Sequence, residues 1–173
     1  MYYIPYNLDK NKSNEEKTNY QFILSLYLLA KRNPKDKLNN RITYTSIKNL
    51  CQTIKDTCGF TIGEKTASKI INSKTHQCYF IHIKETKTIE LKNNFKGKTN
   101  SKFITLNRNE LLFLIEQKSE LLCKYYFYIK YYCGFCKVKN VNFTAKQFLS
   151  YIGYSINSNN YISKLSQFNT LLV

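Results

Sequence analysis

The sequence predicts a mainly α-helical α+β fold with small β-hairpins, arranged as two similar units. Three observations predict it. Apolar side chains recur at helical spacing in most segments, one stretch after residue 78 alternates with period two, and a polar helix face recurs 95 residues after its first appearance (159 − 64 = 95). At 173 residues the chain is long enough for one ordinary domain or two small ones, and its 43% apolar and 15% aromatic content is ample material for a core.

Residues 1 to 17, with "NLDKNKSNEEK", carry charge and Asn without periodicity and are expected to form a flexible N-terminal arm. From Tyr20 to Arg32 the pattern is helical and nearly all apolar, with Ile23, Tyr27 and Ala30 on one face; Pro34 and polar residues end it. A buried helix is expected there. In "ITYTSIKNLCQTIKDTCG", Thr45 or Ser46 can cap a helix whose Ile47, Leu50, Cys51 and Ile54 share a face, and Gly59 closes it. "TIGEKTASKIINSK" follows, with Thr61 as the candidate cap. Gly63, Thr66, Ala67, Ile70 and Ile71 fall on one side of this helix, and Glu64, Lys65, Ser68, Lys69 and Asn72 on the other. "QCYFIHIKE" sets Tyr79, Ile81 and Ile83 against Phe80, His82 and Lys84, and "TKTIELKNNF" alternates again after an "ETKT" turn, which predicts a two-stranded hairpin. "KGKTNSK" reads as a basic flexible loop and "FITL" as a short strand. Helix, helix, turn, helix, hairpin is the order of a winged helix-turn-helix module, here residues 18 to 105.

Residues 106 to 173 repeat the plan. "NRNELLFLIEQ" and "KSELLCKYYFYIKYYCG" are helical, the second with Leu122, Tyr125, Tyr126, Ile129 and Tyr132 on a stripe. "NFTAKQFLSYIG" has Thr144 as cap, Ala145, Phe148, Leu149 and Ile152 at helical spacing, and Gly153 as stop. "INSNNYISKLSQFNTLL" turns Tyr161, Leu165, Phe168 and Leu172 inward and Asn159, Asn160, Ser163, Lys164 and Gln167 outward. The chain ends where a second hairpin would follow, so the second module lacks its wing or the chain is the front part of a longer protein.

The charge balance points to the partner. Twenty-seven basic against 11 acidic residues give +16, a self-repulsion that a polyanionic partner relieves. Residues 1 to 104 hold 19 basic and 8 acidic groups, a net +11. In a helix-turn-helix the second helix enters the major groove, where Asn, Gln, Lys, Ser and Thr meet base edges and phosphates. The candidate groove readers are therefore Thr61, Glu64, Lys65, Ser68, Lys69 and Asn72 in the first module, and Asn159, Asn160, Ser163, Lys164 and Gln167 in the second. Lys84, Lys87, Lys92, Lys96, Lys98 and Lys102 on the wing and its following loop are the candidate phosphate contacts.

Other chemistries lack their residues. With five Gly there is no phosphate-cradling loop, there is no paired-carboxylate segment, and the only two His lie on or beside the proposed wing, so no enzyme and no cofactor is expected. "CGFC" has redox spacing but ends an aromatic helix instead of opening one, and no second CxxC is present to complete a zinc site; His76, Cys78 or His82 could add ligands only if the two modules fold against each other. The six cysteines are expected to be reduced thiols in a cytoplasmic protein, four of them in apolar or aromatic surroundings as small core residues. No apolar run approaches the roughly 20 residues of a membrane span and no secretory leader is visible, so no membrane partner is expected. The tyrosines of "KYYFYIKYY" could stack on bases, but their helical spacing assigns them to the core and the module interface.

The tandem layout, the "ITYTSIKNLCQTI" helix before "TIGEKTASKII", the "YFIHI" strand and "FTAKQFLSYIGYSINSNNYISKL" together resemble winged-helix proteins of mobile elements in low-GC Gram-positive bacteria, especially plasmid replication initiators and phage replisome organisers. The resemblance covers about residues 20 to 172 and departs from the family in the missing second wing. It implies binding to repeated double-stranded sites in an origin and recruitment of host replication proteins; a second copy of the chain, as a homodimer, is a further candidate partner. A transcriptional repressor of the same fold would present the same pattern. A small anti-defence protein directed at a host nucleic-acid-binding complex is the alternative from another class.

Overall fold

Seven α-helices and five strands are seen among the residues described by the computed structural model, which are 1–7, 18–30, 40–92, 102–136 and 144–171. The order is β1 (Tyr2–Pro5), α1 (Tyr20–Ala30), β2 (Arg41–Thr43), α2 (Ile47–Cys58), α3 (Glu64–Asn72), β3 (Phe80–Ile83), β4 (Thr88–Leu91), β5 (Phe103–Leu106), α4 (Arg108–Gln117), α5 (Glu120–Cys136), α6 (Ala145–Tyr151) and α7 (Asn159–Leu171). The protein is thus mixed α+β, dominated by helices with two small antiparallel sheets.

Helix α1 is buried almost all round, as its unbroken apolar sequence requires. The buried Tyr27 hydroxyl is satisfied by donating to the carbonyls of Tyr79 (3.0 Å) and Lys92 (3.3 Å), which ties both ends of the β3–β4 hairpin to the core. Tyr79 and Tyr20 in turn both donate to the carbonyl of Asn7, at 2.9 and 3.3 Å. These bonds fix the N-terminal segment.

That segment departs from the expected flexible arm. Residues 2–5 form β1, which pairs antiparallel with β5 and buries Tyr2 and Ile4 against the core. Aperiodic charged residues dominate positions 8 to 17, which lie outside the described residues, and they mask the short alternation of "MYYIPY" in front of them.

The first sheet differs from expectation in two ways. It has a third strand, because β2 pairs with β4 (Arg41 opposite Glu90, Thr43 opposite Thr88), giving the order β2-β4-β3. The inward set of β3 is also the other one: Phe80 sits opposite Leu91 and His82 opposite Ile89, so Phe80 is buried and Ile81 is 49% exposed. Tyr79 is buried too, but from the turn before the strand, so the alternation starts one residue later than expected and a one-residue offset moves every side chain to the opposite face.

Around α2 and α3 the sequence pattern holds more closely. Ser46 accepts from the Asn49 N–H and starts α2, Leu50 and Ile54 are buried beneath it, and Gly59 ends it at φ 71° with its N–H bonded to the Lys55 carbonyl. A left-handed residue at a helix end is the standing use of glycine. Helix α3 starts at Glu64 with Gly63 as its cap, not Thr61, which is exposed in the extended turn before it; Ala67, Ile70 and Ile71 face inward.

The second half packs against the first through a shared core: one buried cluster includes Phe22 and Leu28 of α1, Leu111 and Leu114 of α4, Phe127 of α5 and Phe168 of α7. On α5, Tyr125 and Tyr126 are buried as expected, while Leu122, Ile129 and Tyr132 are only half-buried and Cys123, Phe127 and Tyr128 join the core instead. Three-sided burial overrides a single stripe. Of the inward set on α7, Leu165 and Phe168 are buried, Tyr161 is half-buried and Leu172 lies outside the described residues.

Candidate nucleic-acid interface

Two parts of the chain are built alike. In each, a side-chain-capped helix leads through a left-handed glycine into a second helix: Ser46, α2, Gly59 and α3 in the first, Thr144, α6, Gly153 (φ 74°) and α7 in the second. Thr144 and Gln147 form a reciprocal cap, each accepting from the other's backbone N–H at 3.2 and 2.7 Å. Ser158 accepts from the Tyr161 N–H at 3.4 Å at the start of α7. The second helices begin at Glu64 and Asn159, so the offset of 95 read from the outward residues also relates the helix starts.

On α3, Glu64, Lys65, Lys69 and Asn72 are exposed, whereas Ser68 is half-buried. The face is less free than its composition suggests. The Asn72 amide nitrogen donates to the Ser68 carbonyl at 2.8 Å, and its oxygen lies 3.2 Å from Nδ1 of His82 on β3. Unlike α2, α4 and α6, α3 has no side-chain cap, so its first-turn N–H groups have no side-chain acceptor.

On α7, Asn159, Asn160, Ser163, Lys164 and Gln167 are all exposed, together with Ser166 and Thr170. Its outer face is polar and nearly neutral, with Lys164 as its one charge among the described residues. A face of short amides and hydroxyls is suited to base edges more than to phosphates. Helix α7 is held from behind, where Tyr125 donates to Asn169 at 3.0 Å and the rings of Phe113 and Phe168 stack at 5.7 Å.

The predicted wing lysines are spread along the hairpin. Lys84 and Lys87 lie in the turn 84–87, Lys92 follows β4 and Lys102 precedes β5; all four are exposed. Lys96 and Lys98 lie outside the described residues. Lys87 adopts φ 48° and its ammonium donates to the Thr45 carbonyl at 3.0 Å, which latches the turn to the start of α2. Lys102 points elsewhere, its ammonium 5.9 Å from the Tyr131 ring centroid.

The sequence reading missed two charged groups on the sheet. Arg41 and Glu90 pair across β2 and β4 at 3.1 Å on its outer face, beside Ile81. An isolated Arg in a three-residue strand carries no periodic signal.

Cys133 is a free thiol in the last part of α5, and the Cys136 side chain is outside the described set. His76 is buried, with Nε2 accepting from the Asn19 N–H at 3.4 Å, and His82 is engaged by Tyr44 and Asn72. Among the described residues no group of three or more His, Cys, Asp or Glu could hold a metal ion, and no helix is long and apolar enough to cross a membrane. The tyrosines of α5 are packed: Tyr131 stacks on Tyr6 at 3.9 Å, and Tyr128 meets Phe148 and Tyr151 at 5.3 and 5.1 Å. Burial pushes the Tyr128 hydroxyl up to about 12, with Tyr132 and Tyr151 adding to the shift. No protein-family model, no curated protein and no solved structure matches this chain.

Proposed function

We propose that the chain is a sequence-specific double-stranded DNA-binding protein whose two readers are α3 and α7. The observation that carries this reading is the recurrence of an exposed, hydrogen-bonding helix face at one offset, each time behind a capped helix and a left-handed glycine, in a chain of net charge +16. The order α1-β2-α2-α3-β3-β4, with sheet order β2-β4-β3, supports a winged-helix reading of the first unit. The second unit would then be a winged-helix-like module without its hairpin. Within that class we infer a replication initiator binding an origin, on the resemblance drawn from the residues; a repressor would use the same interface.

Reading bases requires the helix to lie in the major groove with its outward side chains at the base edges, while lysines outside that face neutralise phosphates. Fluorescence anisotropy on duplexes across a salt series tests this directly. Six to ten neutralised phosphates give a slope of log K against log salt of about −5 to −9. A slope near zero, or duplex binding no tighter than heparin binding, refutes the proposal.

A further inference from the structure

One side chain of the proposed interface is held in a fixed orientation by a chain of hydrogen bonds that crosses three elements. Asn72, the last residue of α3, is exposed. The Ser68 carbonyl, 2.8 Å away, can only accept, so it takes the NH2 end of the Asn72 amide and leaves the oxygen end toward His82 Nδ1 at 3.2 Å. An oxygen there requires a hydrogen on Nδ1. In the neutral imidazole Nε2 is then bare, and it accepts from the hydroxyl of Tyr44 at 2.7 Å. Burial, and after it Lys84, hold the His82 ring below its usual range, with Glu85 opposing, so neutral is the form present at pH 7. Tyr44 itself is buried between β2 and α2, its N–H bonded to the Lys87 carbonyl at 3.1 Å. Each donor in the series Tyr44, His82, Asn72 therefore points one way, from the start of α2 through β3 to the end of α3.

An Asn reads adenine with both ends of its amide, one accepting and one donating, and the terminal amide torsion is broad when nothing holds it. After the bonds to His82 and Ser68, Asn72 still has one amide hydrogen and one oxygen lone pair for a base edge. Holding the amide plane before binding removes the cost of ordering it on the DNA.

We propose that His82 is a positioning residue that sets the Asn72 amide for reading an adenine at the end of α3; the role rests on α3 being a DNA reader. Two measurements test it. The first needs no DNA: 15N spectra of the His82 ring in the free protein at neutral pH are expected to show protonated Nδ1 and bare Nε2. An Nε2–H ring, or a ring averaging between tautomers, overturns the chain. The second is selection from a randomised duplex library by wild type and by Asn72→Ala, His82→Phe and His82→Asn. Asn72→Ala and His82→Phe are expected to lose preference at the same base pair and to weaken binding of the wild-type site roughly 5- to 50-fold. His82→Asn, whose amide N–H can replace Nδ1–H, is expected to keep the preference. If wild type enriches a sequence and His82→Phe reads the same base while only melting earlier, the positioning role fails and the DNA-reading assignment stands. If wild type enriches nothing, that assignment fails, and the role with it.

Discussion

Replacing Glu110 by Ala removes a junction between α4 and α5 and is expected to cost about 3 kcal/mol. One carboxylate oxygen of Glu110 accepts from the Asn107 N–H at 2.6 Å, completing the reciprocal cap that starts α4; the other accepts from the Tyr126 hydroxyl and the Lys130 ammonium, each at 2.6 Å. Loss of a cap costs about 1 kcal/mol. Tyr126 is only 9% exposed, so leaving its hydroxyl without this acceptor costs roughly 1 to 3 kcal/mol. Lys130 is partly exposed and its pairing adds about 0.5 kcal/mol. For a chain of this size each kcal/mol moves the melting temperature by roughly 2–4 °C, so a fall of about 6–12 °C is expected in calorimetry or thermal melts. Glu110→Gln keeps one acceptor and should lose less. Burial raises the Glu110 carboxyl and the bonds from Lys130, Tyr126 and Asn107 outweigh it, leaving its pKa below the ordinary 4.5. The folded form thus binds its proton less readily, and this stabilisation, fully present above pH 4.5, fades as pH falls below 4.5 and through the lower pKa of the folded form. An Ala variant within about 0.5 kcal/mol of wild type, with the same acid profile, refutes the reasoning.

Three further outcomes follow from the same geometry. His82 is held below its ordinary 6.5 by burial and Lys84, so the unfolded chain takes up the proton first and stability should decline as pH drops through 6.5; His82→Asn should flatten that part of a pH–melting curve. Cys123 is buried, and burial followed by the Glu120 carboxylate pushes its thiol up, so it should resist alkylation in the folded protein and react on unfolding, as mass spectrometry of labelled peptides would show. Lys84→Ala with Lys92→Ala should weaken all duplexes alike and make the salt slope shallower by about 2, without changing which sequence is preferred.

Legibility in the sequence followed the range of the interaction. Helices α2 and α6 were readable because their caps and left-handed glycines are local devices, each settled within a few residues. The outward set of α7 was readable from helical period alone; on α3 the period placed Glu64, Lys65, Lys69 and Asn72 correctly but not Ser68, which is half-buried, or Thr66, which is exposed; both starts fell at the offset the outer residues share. What could not be read was long-range pairing. β1 and β5 are about a hundred positions apart and too short to announce a partner, and the three residues of β2 carry no alternation. In β3, Phe80 and Ile81 are both apolar, so the inward face was decided by pairing with Leu91 and Glu90. The tie between Asn72 and His82 was out of reach for a similar reason: two polar residues ten positions apart meet only after the chain has reversed.

Selection from a randomised duplex library tests most directly whether α3 and α7 both read DNA. Wild type is expected to enrich one composite sequence with two separable parts. Lys65→Ala with Lys69→Ala should erase one part and Asn159→Ala with Asn160→Ala the other, each lowering affinity by roughly 1 to 3 kcal/mol per lost base contact. Enrichment of no sequence, or a sequence that both double variants select unchanged, would contradict the account.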